Sequence, residues 1–209
     1  MSEPVLHVGP SAHGLAIPPG FETRPPARRG DVDDLVATRE DPGVLIIADG
    51  TFHSFPSVGH AEIRTALERG WTVWGLCSMG AIRAAEMRSL GMRGFGSVYQ
   101  MYVDDPDFDD DEVALLHASE PPYTPVSEPL VHIRSFLADL VARGILADEA
   151  TTIDVLKNRW YGERTLGLLR KTLIEAGLST STVDRELADF ARHRTKTADL
   201  RLFLETWDG

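Results

Sequence analysis

The sequence predicts an α/β fold: a Rossmann-like, mostly parallel sheet with helices on both faces, followed by a helical C-terminal region. Three observations carry this reading. Val44–Ala48 is an unbroken apolar run, the pattern of a strand buried on both faces. Trp71–Leu76 is a second apolar strand pattern, and each run is followed by a helical pattern at short spacing. Strand, helix, strand, helix in that order implies right-handed crossovers and a parallel sheet. Beyond Pro121-Pro122 only helical patterns follow.

The elements fall in order. Pro4–Val8 reads as a short strand ending at Gly9-Pro10-Ser11. Residues 18–30 carry Pro18, Pro19, Pro25 and Pro26 and read as an extended loop. Asp31–Thr38 fits a helix capped by Asp31, with Val32, Leu35 and Val36 inward. Asp49-Gly50 ends the Val44–Ala48 strand. Ser57–Arg69 reads as a helix capped by Ser57, with His60, Ile63, Ala66 and Leu67 inward and Gly70 behind it. Met79–Leu90 is the helix after Trp71–Leu76. From Asp104 to Glu112 seven of nine residues are carboxylates, and a short helix over 111–118 follows. Helical patterns then cover Ser127–Arg143, Ala147–Lys157, Tyr161–Ala176, Thr180–His193 and Ala198–Trp207. The expected division is an α/β core over 1–125 and a helical region over 126–209 packed on it.

The formal net charge of −11 argues against nonspecific binding to nucleic acid or an anionic membrane. Cys77 is the only cysteine, so no internal disulfide forms, which suits a reducing compartment. Met-Ser-Glu-Pro-Val at the amino terminus lacks a basic-then-apolar signal pattern. No apolar run reaches the roughly 18 residues of a spanning helix. The expectation is a soluble cytoplasmic protein. Neither a Walker motif nor a dinucleotide fingerprint occurs, and zinc spacing is also missing, so no cofactor or metal is expected.

Ser78 is the first candidate. It lies between an apolar strand and an alanine-rich helix, where α/β folds place a reactive side chain at the sheet rim. Gly80 follows two residues later, as a nucleophile elbow wants, but Leu76 stands where a small residue is usual. The bland alternative is a helix N-cap. Cys77 reads as a small buried strand residue. Asp49 and His60 belong to the same rim in a parallel sheet, as an orienting carboxylate and a general base. Their bland readings are a turn residue and a half-buried histidine beside Ile63. Arg83 and Glu86 are three apart on the helix, an ion pair or a pair reaching the pocket. Asp109-Asp110-Asp111-Glu112 with His117 offers carboxylates for a cation, though acidic residues also suit a helix start.

In combination, several stretches resemble the TfuA family. They are Gly9-Pro10-Ser11; Ile46-Ile47-Ala48-Asp49-Gly50; His60 with Glu62 and Ile63; Cys77-Ser78-Met79-Gly80-Ala81-Ile82-Arg83-Ala84-Ala85-Glu86; Asp110-Asp111-Glu112-Val113-Ala114 with His117; and Ser127-Glu128-Pro129-Leu130-Val131 with Ile133-Arg134. Two positions depart from the family pattern: Ala61 replaces a usual lysine, and Leu76-Cys77 precedes Ser78 where Ala-Ser is usual. The resemblance implies an accessory protein of YcaO enzymes, which form thioamides from peptide backbone amides in ribosomally made peptide products. It implies a YcaO-like enzyme as partner, with a ubiquitin-like sulfur carrier protein and a precursor peptide as further partners. The expected chemistry is attack by Ser78 on a thiocarboxylate, with His60 and Asp49 as helpers and amides of Met79 and Gly80 at the oxyanion. Ser11, Arg83, Glu86, Asp111, Glu112, His117 and Arg134 are the expected pocket residues. The competing expectation is a binding module that docks on the enzyme without chemistry of its own.

Overall fold

The computed structural model describes residues 3–52 and 55–207. The chain divides into two compact units. One is Met1–Asp110 with Lys196–Gly209, and the other is Asp111–Thr195.

The first unit is built on five parallel strands: Val5–His7 (β1), Glu22–Arg24 (β2), Val44–Ile47 (β3), Thr72–Leu76 (β4) and Arg93–Phe95 (β5). Their order is β2-β1-β3-β4-β5, the flavodoxin-like order of a doubly wound sheet. Its helices are Asp31–Thr38 (α1), His60–Glu68 (α2), Met79–Met87 (α3), Ser97–Asp104 (α4) and, from the end of the chain, Thr195–Glu205 (α9).

Alternation along the strands fixes both faces. Leu6, Val8, Ile46, Ala48 and Leu76 pack with Leu200, Phe203 and Leu204 of α9. Val5, Leu45, Ile47 and Val73 are buried on the opposite face. There α3 lies so close that a Cβ on Gly80 would collide with the Ile47 carbonyl oxygen, and one on Gly75 with that of Gly80. The expected α/β architecture with helices on both faces is the observed one.

The second unit is all helical: Leu130–Ala142 (α5), Ala150–Lys157 (α6), Leu166–Glu175 (α7) and Thr180–Leu187 (α8), with short 3-10 turns. Its core gathers Leu130, Ile133, Phe136, Leu137 and Leu140 of α5, Ile153 and Leu156 of α6, Leu169 and Leu173 of α7, and Val183 of α8.

The structure corrects several expectations. The loop over 18–30 contains the edge strand β2, whose Glu22-Thr23-Arg24 shows no apolar run. Strand β5 lies within the glycine-rich 91–96 stretch. The helix expected over 111–118 is only a turn of 3-10 helix, Asp110–Val113. α2 begins at His60 behind Gly59, and Ser57 instead donates its hydroxyl to the Thr51 carbonyl (2.8 Å). The first compact unit runs to Asp110, and α9 belongs with the sheet because its apolar stripe is what covers β1, β3 and β4.

Candidate functional site

In this strand order the chain turns in opposite directions from β1 and β3, which opens a crevice at their carboxyl ends. Gly9–Ser11 follows β1 there, and Asp49 follows β3. The Asp49 carboxylate accepts from the Gly9 amide (2.8 Å), the Ser11 amide (2.9 Å) and the Ser11 hydroxyl (2.7 Å). Lys196, at the start of α9, brings its ammonium within 3.9 Å of Asp49 Oδ1. Lys196 is 1% exposed and Asp49 2%. The carboxyl edge of the sheet thus holds a buried ion pair whose carboxylate also fixes the β1 loop.

β4 ends beside it in a strained turn. Cys77 has φ +64°, an uncommon conformation for a residue with a side chain. The Ser78 amide folds back to the Leu76 carbonyl (2.7 Å) and also bonds Ala48 (3.1 Å), which ties the turn to β3. Cys77 Sγ donates to the Lys196 carbonyl (3.2 Å). Burial, then the Asp49 carboxylate, pushes the Cys77 thiol well up, so it is a protonated core group.

Ser78 is the N-cap residue of α3, yet its hydroxyl makes no capping hydrogen bond. It is buried, at 3% exposure, like Met79 and Gly80 behind it. The amides of Met79 and Gly80 open the helix, where partial positive charge gathers. Gly80 has a second reason to be glycine, the close approach to β3 described above.

His60 lies elsewhere. It is exposed, with 55% of its side chain open, and its Nε2 pairs with Glu86 Oε2 at 2.8 Å. Arg83 shares that carboxylate oxygen (2.7 Å) and also donates to the Val58 carbonyl (3.0 Å). Glu86 is eight residues beyond Ser78 on one helix, roughly 12 Å of rise. The structure therefore brings His60, Arg83 and Glu86 together and separates them from Ser78. Asp49 orients Ser11 and faces Lys196, not His60. The inward position expected for His60 is taken by Glu62, which accepts from the amides of Gly59 (2.6 Å), Gly30 (3.0 Å) and Val32 (3.2 Å) and so caps α1 and α2 together.

The remaining expected pocket residues belong to the second unit. Arg134 grips Glu112 with two hydrogen bonds of 2.8 Å each. Arg164 is buried and pairs with Asp111 while donating to the carbonyls of Leu156 and Arg159. The His117 ring bonds the Ala118 carbonyl (2.7 Å) and stands edge-on to Tyr123. These groups hold the 111–117 segment to helices of their own unit. Among the described residues, no three His, Cys, Asp or Glu side chains gather as a metal site.

The sequence pattern of the TfuA-like protein family matches residues 49–165, from the crevice carboxylate through the strained turn into the helical unit. The chain belongs to the TfuA-like protein family. No curated protein matches it. The family match ends before Lys196, a residue that no motif in the sequence marks as part of this edge. Among the described residues no helix is long and apolar enough to cross a membrane.

Proposed function

We propose that this TfuA-like protein serves YcaO-dependent peptide backbone thioamidation by discharging sulfide from a thiocarboxylated carrier protein at the crevice. Family membership supports the pathway. The observation that carries the chemistry is the convergence of Ser78, the α3 amides and the Lys196–Asp49 pair at the carboxyl edge of the sheet.

A thiocarboxylate is an anionic acyl-sulfur group. The start of α3 supplies positive potential for it, beside the Lys196–Asp49 pair. Ser78 Oγ adds to the carbonyl carbon, and the developing oxyanion meets the amides of Met79 and Gly80. The C–S bond then breaks, and sulfide departs as HS⁻ carrying the serine proton. Water hydrolyses the resulting serine ester to a carboxylate. The step balances without a histidine, so His60 has no part in it.

Purified protein is mixed with thiocarboxylated carrier and released sulfide is measured. Ser78→Ala is expected to lower release by about 100-fold or more. Equal release from a folded Ser78→Ala protein overturns the reading.

A second reading is a docking module for a YcaO-like enzyme. It draws support from the exposed carboxylates of Asp104, Asp105, Asp107 and Asp109, which suit a basic surface. Lysine at 104, 105 and 107 is expected to abolish capture of the enzyme at low salt; undiminished capture counts against these contacts.

A further inference from the structure

Among the described residues, α3, α7 and α8 open on a serine or threonine, and only α3 leaves its hydroxyl uncapped. Thr165 and Ser179, at the starts of α7 and α8, have extended backbone with ψ of 160° and 145°. Each accepts a hydrogen bond at 3.2 Å from the amide three residues on. Ser78 instead has φ −132° and ψ −121°, away from that geometry. A hydroxyl on a residue only 3% exposed is thus left free of its own helix.

The cause lies one residue earlier. Cys77 stands at φ +64°, and the Ser78 amide closes back on the Leu76 carbonyl (2.7 Å). A positive φ closed by a bond between residues two apart is the strained form of the γ-turn. Two gains favour its relaxation. Cys77 would leave the left-handed region, and Ser78 would reach the capping geometry of Thr165 and Ser179. A relaxed Ser78 spends its oxygen on an α3 amide instead of a substrate.

Three contacts resist. The Ser78 amide also bonds the Ala48 carbonyl (3.1 Å), and Gly80 lies against the Ile47 carbonyl, which leaves α3 no room to settle toward β3. Both are backbone contacts, open to any residue at 77. The third belongs to the side chain: Cys77 Sγ donates to the Lys196 carbonyl (3.2 Å) at the start of α9. That helix is itself anchored, since Asp199 accepts from the amides of Ser97 and Val98 (2.9 Å each).

We propose that Cys77 is a positioning residue for Ser78: its thiol, tied to α9, holds the left-handed turn that keeps the Ser78 hydroxyl out of the α3 cap. The inference deepens the reading of Ser78 as nucleophile and rests on it. Its test uses no carrier protein, so the two fail separately.

The competing account is that Cys77 only fills space among Leu76, Leu200 and Phe203. The two accounts rank two variants in opposite order. Packing favours Cys77→Ala over Cys77→Ser, because a buried hydroxyl costs more than a methyl group. The tie favours Cys77→Ser, whose hydroxyl still donates to the Lys196 carbonyl. The probe is methanesulfonyl fluoride, small enough for a nearly buried serine. Ser78 Oγ displaces fluoride from the sulfonyl sulfur, and the serine proton passes to water. Labelling at Ser78 is followed by mass spectrometry against a folded Ser78→Ala protein. Wild type is expected to label, Cys77→Ser to stay within about twofold of it, and Cys77→Ala to label about tenfold more slowly. In urea Cys77→Ala is expected to be at least as stable as Cys77→Ser, so its slower labelling is not a loss of fold. Equal rates in Cys77→Ala and wild type, Cys77→Ser as slow as Cys77→Ala, or no labelling at Ser78 would each overturn the proposal. The expected labelling pattern without sulfide release would count against the carrier reaction alone.

Discussion

The two units answer buried carboxylates differently. In the α/β unit they are met by backbone amides. Asp49 holds the Gly9–Ser11 loop, Glu62 caps two helices, and Asp199 accepts from the amides of Ser97 and Val98 to cap α4. In the helical unit they are met by side chains, arginines in each case and the His132 ring as well at Glu128. Glu112 takes Arg134, Glu128 takes His132 and Arg194, and Glu186 takes Arg143. Amides position loops without cancelling the charge, which leaves Asp49 a net anion able to hold Lys196 in the sheet crevice. Arginines cancel the charge and tie helix to helix. The first arrangement suits a site, and the second suits a scaffold.

The largest expected effect breaks this contrast most directly. Asp49→Ala strips two buried amides of their acceptor and removes the counter-charge of a buried lysine. It should cost about 3–5 kcal/mol. Glu128→Ala should cost less, about 1–3 kcal/mol, because the Arg194 it abandons can reach water. Urea denaturation of both variants checks the ranking. Equal losses would mean that the Asp49–Lys196 pair adds nothing beyond an ordinary ion pair.

A middle-sized effect is expected from acid. Burial holds the His7 imidazole below its ordinary pKa, against the hydrogen bond from its Nδ1 to Pro25. The unfolded chain therefore takes up a proton at His7 before the folded chain does. Stability from this group is complete above about pH 6.5 and falls as the pH drops from there toward the lowered folded value. Glu128 behaves differently. Burial raises it, but His132 and Arg194 outweigh that and leave it low, so its contribution fails only below about pH 4.5. His193 gives the helical unit an imidazole of the same sign as His7, lowered by burial and then by Arg192. His7→Asn keeps a donor for Pro25 without the titration. Hydrogen exchange at pH 5.5 should show β1 better protected in His7→Asn than in wild type, with α5 unchanged. An unchanged β1 would remove His7 as the acid-sensitive group.

The same contrast explains what the sequence revealed. Runs such as Val44–Ile47 announce themselves because a strand buried on both faces is apolar throughout. β2 and β5 are three-residue edge strands and carry no period to detect. Asp49 and Ser11 follow from topology, since both terminate neighbouring parallel strands. Lys196 does not, because it meets Cys77 across 119 residues and lysines on helices usually face water. A signal was present: Lys196, Asp199, Leu200 and Phe203 share one helical face, so two charges sit on an apolar stripe. The helical pattern over 198–207 leaves Lys196 outside it, whereas α9 begins at Thr195. The spacing to Ile63 places His60 inward, but the side chain is exposed. Glu62 took that side because its carboxylate caps the start of its own helix and of α1.

The smallest expected effect sharpens the separation between the crevice and the α3 surface. His60, Arg83 and Glu86 form an exposed cluster about two helical turns from Ser78. A base at that distance cannot take the serine proton, and the balance of the thiocarboxylate step does not require one. His60→Ala should therefore leave sulfide release within about twofold of wild type, the range of a surface substitution remote from the chemistry. Its pH–rate profile should keep the wild-type shape. A 100-fold loss, with the acid limb of the profile erased, would return the imidazole to the mechanism and require α2 to move along α3 during turnover.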